Sequence, residues 1–385
     1  MFIRGQKTLS NLTCKVAKYG IELDAQGNIN PCCYAKPLVS LNDMTLDQAW
    51  NSKERLQLLS NLENGIQDPH CLSCWDEEKA GRQSKRMREN ERLVNYTGDA
   101  ESPYLVDIKP WNTCNLRCRI CGPDNSSSWV NEFSIVENKK YDGFDQKYYL
   151  AENSNFWDTM ENWLVHAEYI DFYGGEPLLI KKPWKLLEKN AVSGRSKEQE
   201  LQFNTNTTIP LSETQLQTLL QFKKINIALS IDGIEEQFEY LRYPGKWDTT
   251  LKNIDDYIEY GIKYENINVS FCCTVSIHNL WYVVEFDQYI KGRYGNDTKI
   301  WYNILFGPDC MRITNIPENV KLLVKNKINS SSSDFLVNSI IDFMEMEPYK
   351  QGSLEIFKQT TLKYDDHRNQ NFTQTFPEWS SILGI

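Results

Sequence analysis

The chain has 385 residues, 41% of them hydrophobic, with a formal net charge of -10 and a pI near 5.2, enough length and apolar content for one large folded domain and a smaller one. The acidic balance argues against a nucleic-acid backbone as partner, and no apolar run approaches the ~18 residues of a membrane-crossing helix. The stretch Met1 to Asn11 lacks the apolar centre of an export signal, so the expectation is a cytoplasmic protein without a membrane partner. In a reducing compartment its eleven cysteines read as metal ligands or free thiols rather than disulfides, and eight of them precede residue 122.

The chain opens with a cysteine-rich region: Cys14, then Gly27 followed by Cys32 and Cys33, then Cys71 and Cys74 at C-x2-C spacing. Four of these thiols would fill a metal site without a vacancy, and either Cys32 or Cys33 can complete the set; Cys32 has the Gly-x4-Cys spacing. Zinc and an iron–sulfur cluster are both compatible with such ligands. Between them, Thr45 and Gln48 have the spacing of a capping box, and Leu46, Ala49, Trp50, Leu56, Leu59 and Leu62 recur at helical intervals. Glu77 to Arg92 reads as a solvated, charge-rich helix, and Gly98 to Pro103 as a linker.

Beyond the linker, β-rich runs alternate with helical ones. The spacing predicts strands at Tyr104–Lys109, Tyr169–Tyr173, Leu201–Asn204, Ile225–Ser230, Ile267–Val275 and Lys299–Leu305, with helices over Phe156–His166, Ser212–Phe222 and Thr249–Tyr260. Repeated βα units make a parallel sheet, and six of them suggest a partial (β/α)6 barrel, with function at the C-terminal ends of the strands. After about residue 310 the pattern is helical, with a polar break at Ser330–Ser333. The division expected is an auxiliary metal domain and linker at 1–100, the partial barrel at 101–310 and a helical extension at 311–385.

The most informative loop follows the first barrel strand: Cys114, Cys118 and Cys121 at C-x3-C-x2-C spacing, with no fourth cysteine nearby. Three thiolates leave a tetrahedral ion or a cuboidal cluster one coordination position short, unless a ligand comes from elsewhere, as in a zinc knuckle, or the thiols bind nothing. Gly174-Gly175-Glu176-Pro177 directly follows the second strand; glycines allow close backbone approach and proline opens the next helix, though a plain turn has the same composition. Asn204 to Thr207 close the third strand and Ser230 to Gly233 the fourth, with Arg242 beyond, and these are also common turn residues. Cys272 and Cys273 are adjacent in a strand, point to opposite faces and read as core; Cys310 reads as structural.

The C-x3-C-x2-C loop and the GGEP segment together resemble the radical S-adenosylmethionine (radical SAM) superfamily, and the C…G-x4-C…C-x2-C pattern resembles its SPASM or twitch module, which usually follows the barrel and here precedes it. The resemblance implies a [4Fe-4S] cluster on Cys114, Cys118 and Cys121 that binds S-adenosylmethionine, and an auxiliary [4Fe-4S] cluster, or zinc, on Cys14, Cys32, Cys71 and Cys74. It implies cofactor contacts from Ile120, Gly174, Gly175, Glu176, Pro177, Asn206, Ser230, Asp232 and Arg242; Ile120 stands where the family commonly has an aromatic residue. The activity implied is reductive cleavage of S-adenosylmethionine to a 5'-deoxyadenosyl radical, which removes a hydrogen atom from a substrate, with no catalytic side chain assigned beyond the cluster ligands. A peptide or protein is the substrate that the SPASM likeness favours, with a reductant such as flavodoxin or ferredoxin. Oxidation or rearrangement of a small metabolite is the second reading, and a non-catalytic iron–sulfur scaffold the third.

Overall fold

The computed structural model describes residues 12–41, 43–79, 83–98, 101–109, 111–142, 154–331 and 335–385. Expectations touching the first eleven positions, the linker centre at Asp99 and Ala100, and Ser332 and Ser333 lie outside the described residues.

Nine strands are described: β1 (Gly20–Leu23), β2 (Asn28–Asn30), β3 (Val39–Ser40), β4 (Leu105–Ile108), β5 (Tyr169–Phe172), β6 (Glu200–Thr205), β7 (Lys224–Ser230), β8 (Ile267–Val275) and β9 (Ile300–Ile304). They form one sheet in the order β3-β2-β1-β4-β5-β6-β7-β8-β9. From β4 to β9 every neighbouring pair is parallel, as repeated βα units require. All six expected barrel strands are present, so the fold is the α/β partial barrel the alternation suggests. Residues 20–40 extend this sheet: β1 lies parallel to β4 with Glu22 opposite Asp107, and β2 and β3 fold back antiparallel. The sheet therefore runs without a break across the division drawn near residue 100.

Helices of the first region are α1 (Lys15–Tyr19), α2 (Leu46–Trp50), α3 (Lys53–Glu63), α4 (Leu72–Lys79) and α5 (Lys85–Arg92). Thr45 and Gln48 make the expected capping box on α2. The single helix expected from Glu77 to Arg92 is instead two, because the Ser84 hydroxyl accepts from the Met87 N–H and starts α5 afresh. Nor is α5 simply a solvated face. Arg86 forks onto Glu78 of α4, and the Arg92 guanidinium lies 4.3 Å from the Tyr169 ring centroid on β5.

In the barrel, α6 (Trp129–Val136) and α7 (Ser154–His166) follow β4, α8 (Lys181–Ser193) follows β5, and α9 (Glu213–Leu219) follows β6. Next, α10 (Glu235–Leu241) and α11 (Trp247–Lys263) follow β7, and α12 (Val283–Tyr294) follows β8. Their apolar stripes, with Leu164, Leu187, Leu219 and Ile254 all buried, cover one face of the sheet, where Val106, Ile170, Leu201, Phe203, Ile225 and Ile227 are also buried. The other face is polar. Register places Glu22, Asp107, Asp171, Gln202, Asn226 and Asn268 in one row across six strands. A closed barrel of this kind fills its interior with branched apolar side chains; a concave face of carboxylates and amides is built to meet water or a ligand.

The C-terminal region is helical, comprising α13 (Glu318–Ser331), α14 (Phe335–Glu345), α15 (Ser353–Arg368), α16 (Phe372–Thr375) and α17 (Pro377–Leu383). It packs onto the barrel instead of trailing from it. Trp379 stacks on Trp281 with centroids 5.5 Å apart and donates its ring N–H to the Ile277 carbonyl at 2.6 Å. No helix among the described residues is long and apolar enough to cross a membrane.

Candidate metal and cofactor site

The cysteine loop leaves β4 and is held by hydrogen bonds to its main-chain carbonyls. Ser126 Oγ donates to the Leu116 carbonyl at 2.5 Å, Ser128 Oγ to that of Cys114 at 2.7 Å, and Trp129 Nε1 to that of Cys118 at 3.1 Å. Across the loop, the Arg117 and Arg119 N–H groups donate to the carbonyls of Tyr243 and Leu241 at 2.6 and 2.7 Å. Arg242, between those two acceptors, is thereby brought beside the cysteines. Cys118 and Cys121 share a thiol–thiol hydrogen bond that holds the Cys118 proton and makes Cys121 the readier to ionise, while burial pushes Cys114 up to about 11.

The segment after β5 abuts this loop. Gly174 and Gly175 have positive φ of 78° and 56°, and the Glu176 N–H donates to the Thr113 carbonyl at 2.7 Å. A Cβ on Gly175 would lie 2.3 Å from that carbonyl oxygen. Glu176 itself is fully buried and turned inward, where it accepts from Leu178 N at 3.1 Å, Thr205 Oγ1 at 3.0 Å and Asn206 N at 2.7 Å; burial raises its carboxyl to about 7. Pro177 opens the short turn that leads to α8. Glu176 thus ties the end of β5 to the end of β6.

Asn206 donates to Asn115 Oδ1 at 2.8 Å and approaches Cys114 Sγ at 3.7 Å. Ser230 ends β7 on the concave face, half-buried, and Ile120 is half-buried in the cysteine loop. Asp232 and Arg242 form a buried pair at 2.8 Å, and Asp232 Oδ1 also accepts from Thr274 N at 2.8 Å. Although burial works against its charge, Arg242 is held protonated by Asp232 and the nearby Cys118 and Cys121 thiols. Its Nε is buried with no hydrogen-bond partner among the described residues, a donor left for something the side chains do not supply. Of the nine expected cofactor positions, Ile120 lies in the cysteine loop itself, Asn206 and the Asp232–Arg242 pair come beside its thiols, and Gly175 and Glu176 abut its backbone; Gly174 and Pro177 flank these after β5 and Ser230 ends β7, while the Glu176 carboxylate is taken up by its own hydrogen bonds.

Below these positions the concave face opens into a cleft of about 440 Å³ lined by Gln202, Asn204, Asn226, Ser270, Cys272 and Asn303, among others. Cys272 and Cys273 are both buried and turned opposite ways by the alternation along β8, as expected; Cys273 joins the main apolar core, while Cys272 lies on the cleft side and accepts from Asn303 Nδ2 at 3.0 Å. Cys310 is packed in the core.

The second group of cysteines also gathers. Cys14 at the start of α1, Cys32 after β2, Cys71 just before α4 and Cys74 within it line one cavity with Tyr34, Lys85 and Arg86. Burial raises each thiol, Cys14 to about 11 and Cys71 to about 12, with Cys32 and Cys74 displaced the same way. Metal binding must offset that cost of ionisation. Cys33 is exposed outside this cavity, where its sulfur accepts from Lys85 Nζ at 2.8 Å.

A parallel half-barrel with a three-thiol loop after its first strand, and a separate four-thiol pocket at one edge, defines a class of iron–sulfur protein. The comparisons agree: residues 108–290 match the family model of the radical SAM superfamily, and residues 14–75 match an iron–sulfur cluster-binding domain. Residues 108–290 are thus a radical SAM domain, with a SPASM-type module ahead of it. Among solved structures, native anSMEcpe with bound AdoMet is 17% identical, with 70% of this chain and 61% of that chain covered and a TM-score of 0.37. SuiB of Streptococcus suis bound to the precursor peptide SuiA is 12% identical, with 76% and 55% covered and a TM-score of 0.36. This chain thus spans less than two thirds of the length of either. No curated protein sequence matches it.

The radical SAM domain implies a [4Fe-4S] cluster and S-adenosylmethionine, and the SPASM-type module auxiliary iron–sulfur chemistry. The residues present fit them: three thiols with no local fourth, four thiols in one pocket, and a glycine turn packed too closely for any side chain. The orphaned Arg242 Nε adds a donor beside the first set. Among the described residues no three His, Cys, Asp or Glu side chains converge on one ion-sized position; a cluster makes no such demand, because each thiolate binds a different iron.

The buried charges that brace the cysteine loop were not anticipated. Arg119 pairs with Asp365, and Arg368 with Glu132, across 246 and 236 residues, and nothing local in the sequence signals either.

Proposed function

We propose that the chain is a radical SAM enzyme acting on a peptide or protein, with the catalytic cluster on Cys114, Cys118 and Cys121 and the auxiliary cluster on Cys14, Cys32, Cys71 and Cys74. The observation that carries this is the meeting of the cysteine loop with the Gly174-Gly175 turn on the rim of a sheet whose concave face is polar. When bound, the cluster and S-adenosylmethionine supply one-electron chemistry that ends in hydrogen-atom abstraction from a substrate.

The side chains orient and shield. Asp232 holds the Arg242 guanidinium beside the thiols, where a fixed cation favours thiolate and offers a fork to a carboxylate such as that of the cofactor's methionine moiety. Asn206 sets the Cys114 side of the loop through Asn115, and the positive-φ glycines present main-chain groups that a side chain would cover. Trp129 and Leu116, both buried, keep water from the back of the loop.

A peptide is favoured by the shape of the opening. The cleft runs to β9, the last strand of the sheet, where Trp301 is 54% exposed and Phe306, just beyond it, 62% exposed; a sheet edge beside an open cleft suits an extended chain.

Anaerobic reconstitution with iron and sulfide, followed by reductant and S-adenosylmethionine, tests the proposal. The expected result is 5'-deoxyadenosine from the native protein and none from the triple variant Cys114→Ala, Cys118→Ala, Cys121→Ala, which should also lose one cluster equivalent. Full iron loading without 5'-deoxyadenosine would leave a scaffold; cleavage by the triple variant would reject the ligand assignment.

A further inference from the structure

The charged groups buried behind the cysteine loop converge on one helix of the C-terminal region. Arg119, between Cys118 and Cys121, is 3% exposed, and its Nη2 donates to Asp365 Oδ1 of α15 and to Gln370 Oε1 at 2.8 Å. Asp365 is saturated from other directions too: Tyr240 Oη donates to Oδ1 and the Phe372 N–H to Oδ2, both at 2.7 Å. Three turns of chain thus fix one carboxylate, and that carboxylate fixes Arg119.

A second bridge runs in parallel. Glu132 of α6, wholly buried, accepts from Arg368 Nε of α15 at 2.5 Å and lies 3.2 Å from Arg117 Nε. The Arg368 guanidinium is stacked among Trp129, Tyr243 and Tyr364, at 4.8 to 5.6 Å from their centroids. Both arginines of the cysteine loop are therefore tied to α15, Arg119 directly and Arg117 through Glu132.

Packing alone does not call for this. A buried ion pair pays desolvation on both partners, and apolar side chains of like volume commonly hold a fold equally well. What a pair offers in addition is fixed direction and a fixed field, both strong where water is excluded. We propose that Arg119 and Asp365 are positioning residues for the cluster on the Cys114–Cys121 loop, setting its geometry and reduction potential, so that the C-terminal helix is a working part of the cofactor site. This rests on the cluster assignment above.

The sign of the field separates positioning from bracing. With Asp365→Asn the Arg119 cation is uncompensated, and the cluster should accept an electron more readily. With Arg119→Gln the Asp365 charge is uncompensated, and reduction should become harder. The quantity to read is the midpoint potential of the electron paramagnetic resonance signal that responds to S-adenosylmethionine, followed by anaerobic redox titration, with iron per chain measured alongside. Expected are a positive shift for Asp365→Asn, a negative shift for Arg119→Gln, and an intermediate value for the double variant. Shifts of one sign in both single variants, or no shift at unchanged iron, overturn the proposal. If circular dichroism shows either single variant unfolded, Arg119→Lys and Asp365→Glu replace it; they keep each charge but move the contact. Their signal with S-adenosylmethionine bound should then change, and an identical spectrum overturns the proposal. Absence of any S-adenosylmethionine-responsive signal in the native protein would instead reject the cluster assignment itself.

Discussion

Replacing Gly175 with Ala should loosen the junction between the GGEP turn and the cysteine loop, and its cost can be worked from the geometry. At φ of 56° an L-residue sits in the left-handed region, which disfavours it by about 1–2 kcal/mol relative to glycine. The added Cβ would also meet Thr113 O at 2.3 Å and Thr113 C at 3.0 Å, backbone atoms that cannot rotate aside. The loop must then retreat and stretch the 2.7 Å bond from Glu176 N to Thr113 O, at a further cost of about 1–1.5 kcal/mol. The sum is about 2–3.5 kcal/mol. Gly194 is the control: its φ is 79°, but nothing lies within 4 Å of its Cβ position, so Gly194→Ala carries the backbone cost alone. Urea unfolding of the cluster-free protein gives the two stabilities, and anaerobic reconstitution gives iron per chain. Gly175→Ala should be the less stable of the two and fall short of native iron. Equal stability with full iron loading would refute the close-approach argument.

Cys32→Ala should remove the auxiliary iron and Cys33→Ala should leave it, since Cys32 lines the four-thiol pocket and Cys33 faces Lys85; the reverse outcome would exchange the two ligands. Asp232→Ala strands the buried Arg242 charge, and about 3–5 kcal/mol of stability should be lost. Much of that loss should return when Arg242→Met is added, and a double variant no better than the single would contradict the pairing. Burial raises the Glu22 carboxyl from 4.5 to about 7, so the folded chain keeps a proton that the unfolded chain releases. The stabilising contribution is full below about pH 4.5 and lost as the pH rises through 7, about 3 kcal/mol in all. Glu22→Gln should flatten the fall in urea midpoint of the cluster-free protein across that window, and an unchanged slope would rule this group out.

The six parallel strands were legible because each carries two signals at once, β-rich composition and a flanking turn. In β6 and β7 the strict alternation of Leu201, Phe203, Ile225 and Ile227 with Gln202, Asn204, Lys224 and Asn226 also announces an open inner face. The thiol loop was legible because metal chemistry dictates ligand spacing within one turn of chain. The strands β1 to β3 were not read, being two to four residues long and embedded in a segment whose cysteines and glycine dominate its composition. Joining them to β4 takes a contact across some eighty residues that no local pattern encodes. The same limit hid Asp365 and Arg368, ordinary charged positions on a helix until the fold sets them against Arg119 and Glu132. Alternation places Cys272 and Cys273 on opposite faces, but that the Cys272 side borders a polar cleft depends on helices far along the chain.

The parallel pairing of β1 with β4 also limits how the protein can be dissected. A truncated version beginning near residue 101 would lack β1 and leave the backbone of Leu105 to Ile108 as a bare margin. An exposed strand margin recruits other chains. Such a fragment should therefore be recovered as insoluble material, and the iron-binding segment at the front doubles as the part that keeps the remainder of the molecule monodisperse.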